Sequence, residues 1–126
     1  MTGIVYDAAA LIAADRGDRD FWAELRVRLE ADVVPVVPAP VVVQVSRSPR
    51  QAQLRRLLRG CVVAELGEDD AHAAGELLGR AGASDVEDAV VAYTAANHAA
   101  DVVTSDRGDI QRLLDAAGSR VQVIEI

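Results

Sequence analysis

The sequence predicts an α/β fold: a three-layer α/β/α sandwich on a parallel sheet of about five short strands. Two features carry that expectation. Short apolar or β-branched runs alternate with helix-length stretches along the chain, which implies right-handed crossovers and parallel pairing. The hydrophobic share is 51% with only 3% aromatic residues, so the core must be close-packed Ala, Val and Leu. At 126 residues the chain reads as one domain, 1–126, long enough to bury such a core.

Gly3 to Tyr6 is a short apolar run stopping at Asp7, and Ala8 to Ala14 then reads as helix. Phe21 and Trp22 lie in an Arg- and Asp-rich second helix; large aromatics are usually core, although a groove or dimer contact is the other reading. Val33 to Val37 is a β-branched strand opening into a helix start at Pro38-Ala39-Pro40. In Arg50 to Arg59, Leu54, Leu57 and Leu58 form the buried stripe of a helix and the arginines project outward. Cys61 to Leu66 is strand-like and leads into a helix over Glu68 to Gly79, with a surface loop from Gly79 to Ala83. Ser84 to Glu87 has the Ser-x-x-Glu pattern of a capping box and opens the helix that continues through Ala89 to Ala100. Asp101 to Thr104 and Val121 to Ile126 are the last strands, separated by an amphipathic helix over Ile110 to Ala117 and a Gly118 stop.

Composition excludes several kinds of chemistry. All thirteen basic residues are Arg, so a P-loop lysine and a Schiff-base lysine are impossible. The lone Cys61 rules out an intrachain disulfide and any multi-cysteine metal site. No apolar run approaches the ~18 residues of a membrane helix, and the first residues show no signal-peptide pattern, which argues for a cytoplasmic protein. His72 and His98 lack a spaced partner and are not read as ligands.

The net charge of −7 is unevenly spread. Residues 33–64 carry five Arg and no acid, whereas residues 65–126 carry thirteen acids and four Arg. Arg47, Arg50, Arg55, Arg56 and Arg59 could guide an RNA backbone; a solvated face paired with acids is the ordinary alternative.

Ligands in open parallel sheets gather outside the carboxyl ends of the strands. Asp7 and Asp106 follow strands, and Asp88 heads a helix whose next twelve residues contain no Asp, Glu or Arg. A buried carboxylate there must be paired, hydrated or bound to a cation. Asp85 and Asp109 lie three residues from Asp88 and Asp106; helix capping accounts for Asp7, Asp85 and one of Asp106 and Asp109 just as well. Converging carboxylates repel one another unless a cation sits between them. Oxygen donors of this kind suit Mg²⁺ or Mn²⁺, and a metal-assisted phosphodiesterase follows.

Three stretches make the chain resemble the PIN-domain nucleases, especially the bacterial VapC-like toxins. They are Ile4-Val5-Tyr6-Asp7 with its Ala-rich continuation, Asp88-Ala-Val-Val-Ala-Tyr-Thr-Ala-Ala, and Val102-Val103-Thr104-Ser105-Asp106 with Asp109, in order and at the family's spacing. The resemblance implies a Mg²⁺- or Mn²⁺-dependent endoribonuclease in which Asp7, Asp88 and Asp106 hold the metal and in-line attack leaves a 5′-phosphate. It further implies that Thr104 or Ser105 orients a ligand or contacts phosphate, that the protein dimerises, and that a cognate antitoxin inhibits it.

The family usually places a Glu in the helix after the second strand, and the matching stretch here is Val41-Val42-Val43-Gln44-Val45. Gln44 offers a neutral carbonyl oxygen but one charge fewer. Asp85 or Asp109, each within a turn of a matched residue, is positioned to compensate. A PIN fold with weakened catalysis, acting as an RNA-binding or protein-interaction module, is therefore the alternative. A small α/β phosphatase has less support, because the chain has no lysine and no Asp-x-Asp after the first strand.

Overall fold

The computed structural model describes residues 2–126. In chain order the elements are β1 (Ile4–Tyr6), α1 (Ala8–Asp15), α2 (Arg19–Glu30), β2 (Val36–Pro38), α3 (Ala39–Val45), α4 (Ala52–Arg59), β3 (Val62–Ala64), α5 (Glu68–Ala81), α6 (Val86–His98), β4 (Asp101–Thr104), α7 (Arg107–Ala116) and β5 (Val123–Glu125). The five strands form one sheet in the order β3-β2-β1-β4-β5. Every pairing is parallel, with Val5 opposite both Val36 and Val102.

Strand order places the site. From β1 the chain winds outward to β2 and β3, then returns to β4 on the other side of β1 and continues to β5. With right-handed crossovers, opposite winding directions put α1 and α2 on one face and α7 on the other. In agreement, α1 packs against α2 and α4, while α5, α6 and α7 pack on one another. The reversal between β1 and β4 opens a crevice at their carboxyl ends, the usual ligand position in a doubly wound sheet.

The core is aliphatic, as the composition requires. Val5, Val37, Leu11, Leu57 and Leu114 have no exposed surface, and each such side chain contributes about 1.5–3 kcal/mol by leaving water. The few aromatics are grouped: the Tyr6 and Phe21 rings lie 5.3 Å apart and those of Phe21 and Trp22 6.3 Å apart. Trp22 is half-buried, donates Nε1–H to the Ala14 carbonyl at 3.2 Å and carries the Arg56 guanidinium 4.6 Å from its ring centroid. Replacing Arg56 by Ala is expected to cost about 0.5–1 kcal/mol of stability, the usual worth of an exposed cation–π contact, as read from denaturant unfolding. Cys61 is free and half-buried, and burial raises its thiol pKa to about 12, so it stays an inert thiol.

Several boundaries differ from the expected ones, each for a local reason. The second strand begins at Val36 rather than Val33, because Asp32 turns with a φ of 61° and the Pro35 carbonyl is the first to join β3, accepting from Val62 N–H. The third and fifth strands contract to their paired residues, Val62–Ala64 and Val123–Glu125. Helix α5 runs on to Ala81 and is stopped by Gly82 in the left-handed conformation, so the loop expected from Gly79 is shorter. The expected capping box is also shifted: Asp85, not Ser84, is the N-cap of α6, its carboxylate accepting from the Asp88 amide at 3.0 Å. Helix α7 starts at Arg107, three residues before Ile110.

Candidate active site

The site is built where β1 and β4 end. Asp7 leaves β1 as the N-cap of α1, and its two oxygens accept from the Ala9 amide at 3.1 Å and from the Thr104 hydroxyl. Thr104 ends β4 with no exposed surface, and its oxygen also accepts from the Asp106 amide at 2.9 Å. One buried hydroxyl therefore fixes the two strand ends to each other. Thr104→Val removes both bonds at nearly constant shape and is expected to cost about 1–3 kcal/mol in thermal or denaturant unfolding, with Thr104→Ser retaining most of the stability.

Helices α6 and α7 bring their N-termini to the same place, where partial positive charge favours carboxylates. Asp85 caps α6 and Asp88 occupies its first turn; Asp106 stands at the N-cap position of α7, without a side-chain capping bond, and Asp109 follows in the first turn. A carboxylate oxygen from each of Asp88, Asp106 and Asp109 lies within 4.8 Å of the other two, the one such group among the described residues. Asp88 is 8% exposed. Its Oδ2 and Glu87 Oε2 are the two buried side-chain polar atoms that lack a hydrogen-bond partner among the described residues.

The electrostatics express that crowding. Burial first, then the contact with the Asp106 carboxyl and the charges of Asp85, Asp106 and Asp7, raise the pKa of Asp88 to about 8. Glu87 is raised by burial and by Asp85 and Asp7. Uncompensated negative charge is thus relieved by a proton on Asp88, and a divalent cation can take that proton's place.

The surrounding cleft has a volume of about 660 Å³ and is lined by Asp7, Asp85, Asp88, Asp106, Ser105 and Gln44. Helix α2 and its cap contribute Asp18, Asp20 and Glu24, β5 contributes Glu125, and Arg16 is the one basic lining residue among the described residues. Asp109 lies behind this wall, lining a recess of about 160 Å³ that it shares with Asp88, Asp85 and Arg112. The structure therefore gathers Asp7, Asp85, Asp88, Asp106, Ser105 and Gln44 in one cleft, with Asp109 adjoining.

The arginines of the basic segment do not line that cleft. Arg47 turns its guanidinium back to the Val43 and Ser46 carbonyls at 2.9 and 2.8 Å, Arg56 stacks on Trp22, and Arg50, Arg55 and Arg59 are exposed. Sequence reasoning missed Arg16, the α2 acids and Glu125 as lining residues, and it gave Glu87 only to helix capping. An acid two residues past the N-cap, next to another acid and just before an apolar helix, was the available signal for Glu87.

An open parallel sheet with clustered carboxylates and two helix N-termini at its switch point defines an acidic-cleft α/β domain. Residues 4–114 match the family model described as the PIN domain, and the chain belongs to that family. Its structure is similar to that of VapBC2 from Rickettsia felis bound to a promoter DNA fragment, with a TM-score of 0.72 and 15% identity, covering 98% of each chain. DNA-bound VapBC from Salmonella typhimurium is similar at a TM-score of 0.70 and 14% identity, over 99% of this chain and 98% of that one. A toxin-antitoxin complex from Klebsiella pneumoniae matches at 0.63 and 20% identity, over 85% and 89%. No curated protein matches the chain significantly. Among the described residues, no helix is long and apolar enough to cross a membrane.

Proposed function

We propose that this chain is an endoribonuclease dependent on Mg²⁺ or Mn²⁺, and the toxin of a VapBC-type toxin–antitoxin pair. The observation that carries this reading is the buried Asp88 carboxyl, with one oxygen unpartnered, held against Asp106 in an acidic cleft of a PIN domain. PIN domains are generally nucleases, and a hard, all-oxygen donor set fits Mg²⁺ or Mn²⁺. Asp88 and Asp106 would hold the cation, with Asp7 lining the same cleft. When bound, the cation polarises the phosphodiester and makes water acidic enough to serve as the nucleophile.

The chain's own groups do the rest. Asp7, fixed by Ala9 and Thr104, has little freedom to rotate and orients the attacking water. Thr104 is a positioning residue, and Ser105, exposed at the cleft, contacts phosphate. The acidic wall repels nucleic acid until cations neutralise it, so the RNA backbone needs basic groups elsewhere. Arg50, Arg55 and Arg59 serve that role; Arg47 and Arg56, engaged with α3 and Trp22, contribute less.

The toxin reading includes a cognate antitoxin and a homodimer. Similarity in fold to proteins solved as VapBC and toxin-antitoxin complexes supports the first. Exposed Val43 and Val86, on the adjoining α3 and α6, favour a protein contact near the cleft.

The test is cleavage of total RNA by the purified protein with Mg²⁺, Mn²⁺ or EDTA, beside Asp7→Asn to expose a contaminating nuclease. Discrete fragments that require the cation and vanish in the variant are expected. Equal cleavage by both proteins, or none under any condition, rejects the reading. The absence of cleavage would favour the second reading, a weakened PIN module, for which the neutral Gln44 in the cleft wall is the specific observation.

A further inference from the structure

We propose that Asp109 supplies the third carboxylate of the cation site in this chain, in place of the charge missing at Gln44, and that Arg112 holds Asp109 in reserve until the cation arrives. The inference rests on the cation-dependent reading above and concerns which residues complete that site.

The geometry points to Asp109 directly. Its carboxylate shares with Asp88 and Asp106 the arrangement in which one oxygen of each lies within 4.8 Å of the others, and Gln44 brings no charge to the cleft. The cluster also contains a group that calls for a ligand: Asp88 is 8% exposed, its Oδ2 has no partner, and it lines both the main cleft and the recess on Asp109's side. Asp7 is less available, because its two oxygens are already accepting from Ala9 and Thr104. A cation between Asp88, Asp106 and Asp109 would give the buried Asp88 carboxylate, one of whose oxygens has no partner, a counter-charge at the N-terminal turns of α6 and α7.

Arg112 competes for the same carboxylate. Its guanidinium donates to Asp109 Oδ1 at 3.1 Å, one turn along α7, and both side chains are more than half exposed. Exposed ion pairs of this spacing are weak, so a divalent cation at two further carboxylates outcompetes the guanidinium. Asp109 turns from Arg112 to the cation, and the pair keeps the acid from repelling Asp88 and Asp106 beforehand.

Manganese titration of the full chain by calorimetry tests this without reference to activity. Asp109→Asn is expected to weaken Mn²⁺ binding about tenfold or more, as loss of a charged donor does. Arg112→Gln should tighten it, and Asp115→Asn, which removes the same charge farther along α7, should leave it within about twofold. Wild-type affinity in Asp109→Asn, or equal weakening by Asp115→Asn, overturns the assignment while leaving the cation-dependent reading intact. No Mn²⁺ binding by the wild-type protein overturns both. Asp109 is exposed, so its variant should fold, and matched thermal midpoints establish that; Arg112→Gln supplies an independent effect of opposite sign.

Discussion

Asp88→Asn is expected to abolish RNA cleavage and yet to stabilise the cation-free protein. The sign follows from the direction of the shift. In the unfolded chain Asp88 ionises near the ordinary aspartate value of 3.8, whereas in the folded chain it ionises near 8. Between those values the folded state holds a proton that the unfolded state has lost, so this group's contribution to stability falls as pH rises from about 4 to 8 and then levels off. Asparagine carries no such penalty. In thermal melts with chelator, the variant's advantage should grow across that window to on the order of 5 °C at pH 8, the displacement that ~1 kcal/mol produces in a domain of this size. With saturating Mn²⁺ the order should reverse, because only the wild-type carboxylate gains from the cation. A variant less stable than wild type at pH 8 in chelator would show that Asp88 is a structural acid.

Gln44→Glu is the second large expected effect. Gln44 is exposed on the cleft wall, so a carboxylate there adds charge to the site without burying it. About tenfold tighter Mn²⁺ binding is expected, together with faster cleavage under subsaturating cation. Titration followed by initial rates at limiting Mn²⁺ separates the two contributions. Unchanged affinity would mean that residue 44 is not where this chain lacks charge. Tighter binding without any cleavage would favour the binding-module alternative.

Much of the fold was legible because each helix and strand carries its own local signal. The Ala-rich run after Asp7, the Pro38-Ala39-Pro40 helix start and the leucine stripe of α4 each specify an element before any tertiary contact forms. Boundaries were less legible where tertiary pairing set them: β2 starts at Val36 because Val62 pairs across from it, not because Val33 and Val34 lack β-propensity. The capping box illustrates the same limit at one residue. Ser84 and Asp85 are both good N-caps, and the residue type alone does not choose between them; in the fold Asp85 caps α6.

At the site, Asp7 and Asp106 were legible as residues following strands, and Asp88 as a charge heading an apolar helix. The sequence alone could not show that Asp7 spends both oxygens on Ala9 and Thr104, or that Asp109 approaches Asp88. The first depends on β1 pairing with β4, which brings Thr104 to Asp7, and the second on α6 packing against α7. The α2 acids escaped notice for the same reason: nothing in Asp18-Arg-Asp-Phe-Trp-Ala-Glu24 indicates that this helix overhangs the end of β1. The arginine-rich segment was legible as a basic, acid-free run, but not that its arginines would stand outside the lining of the cleft.

The central claim is that the acidic cleft is a cation site whose occupancy removes the proton from Asp88. Calorimetric titration of the wild-type chain with Mn²⁺ at pH 7, repeated in two buffers of different ionisation enthalpy, tests it most directly. Saturable binding that releases nearly one proton, with affinity rising toward pH 8, is the expected result. Absence of binding, or binding with no proton release, would contradict it.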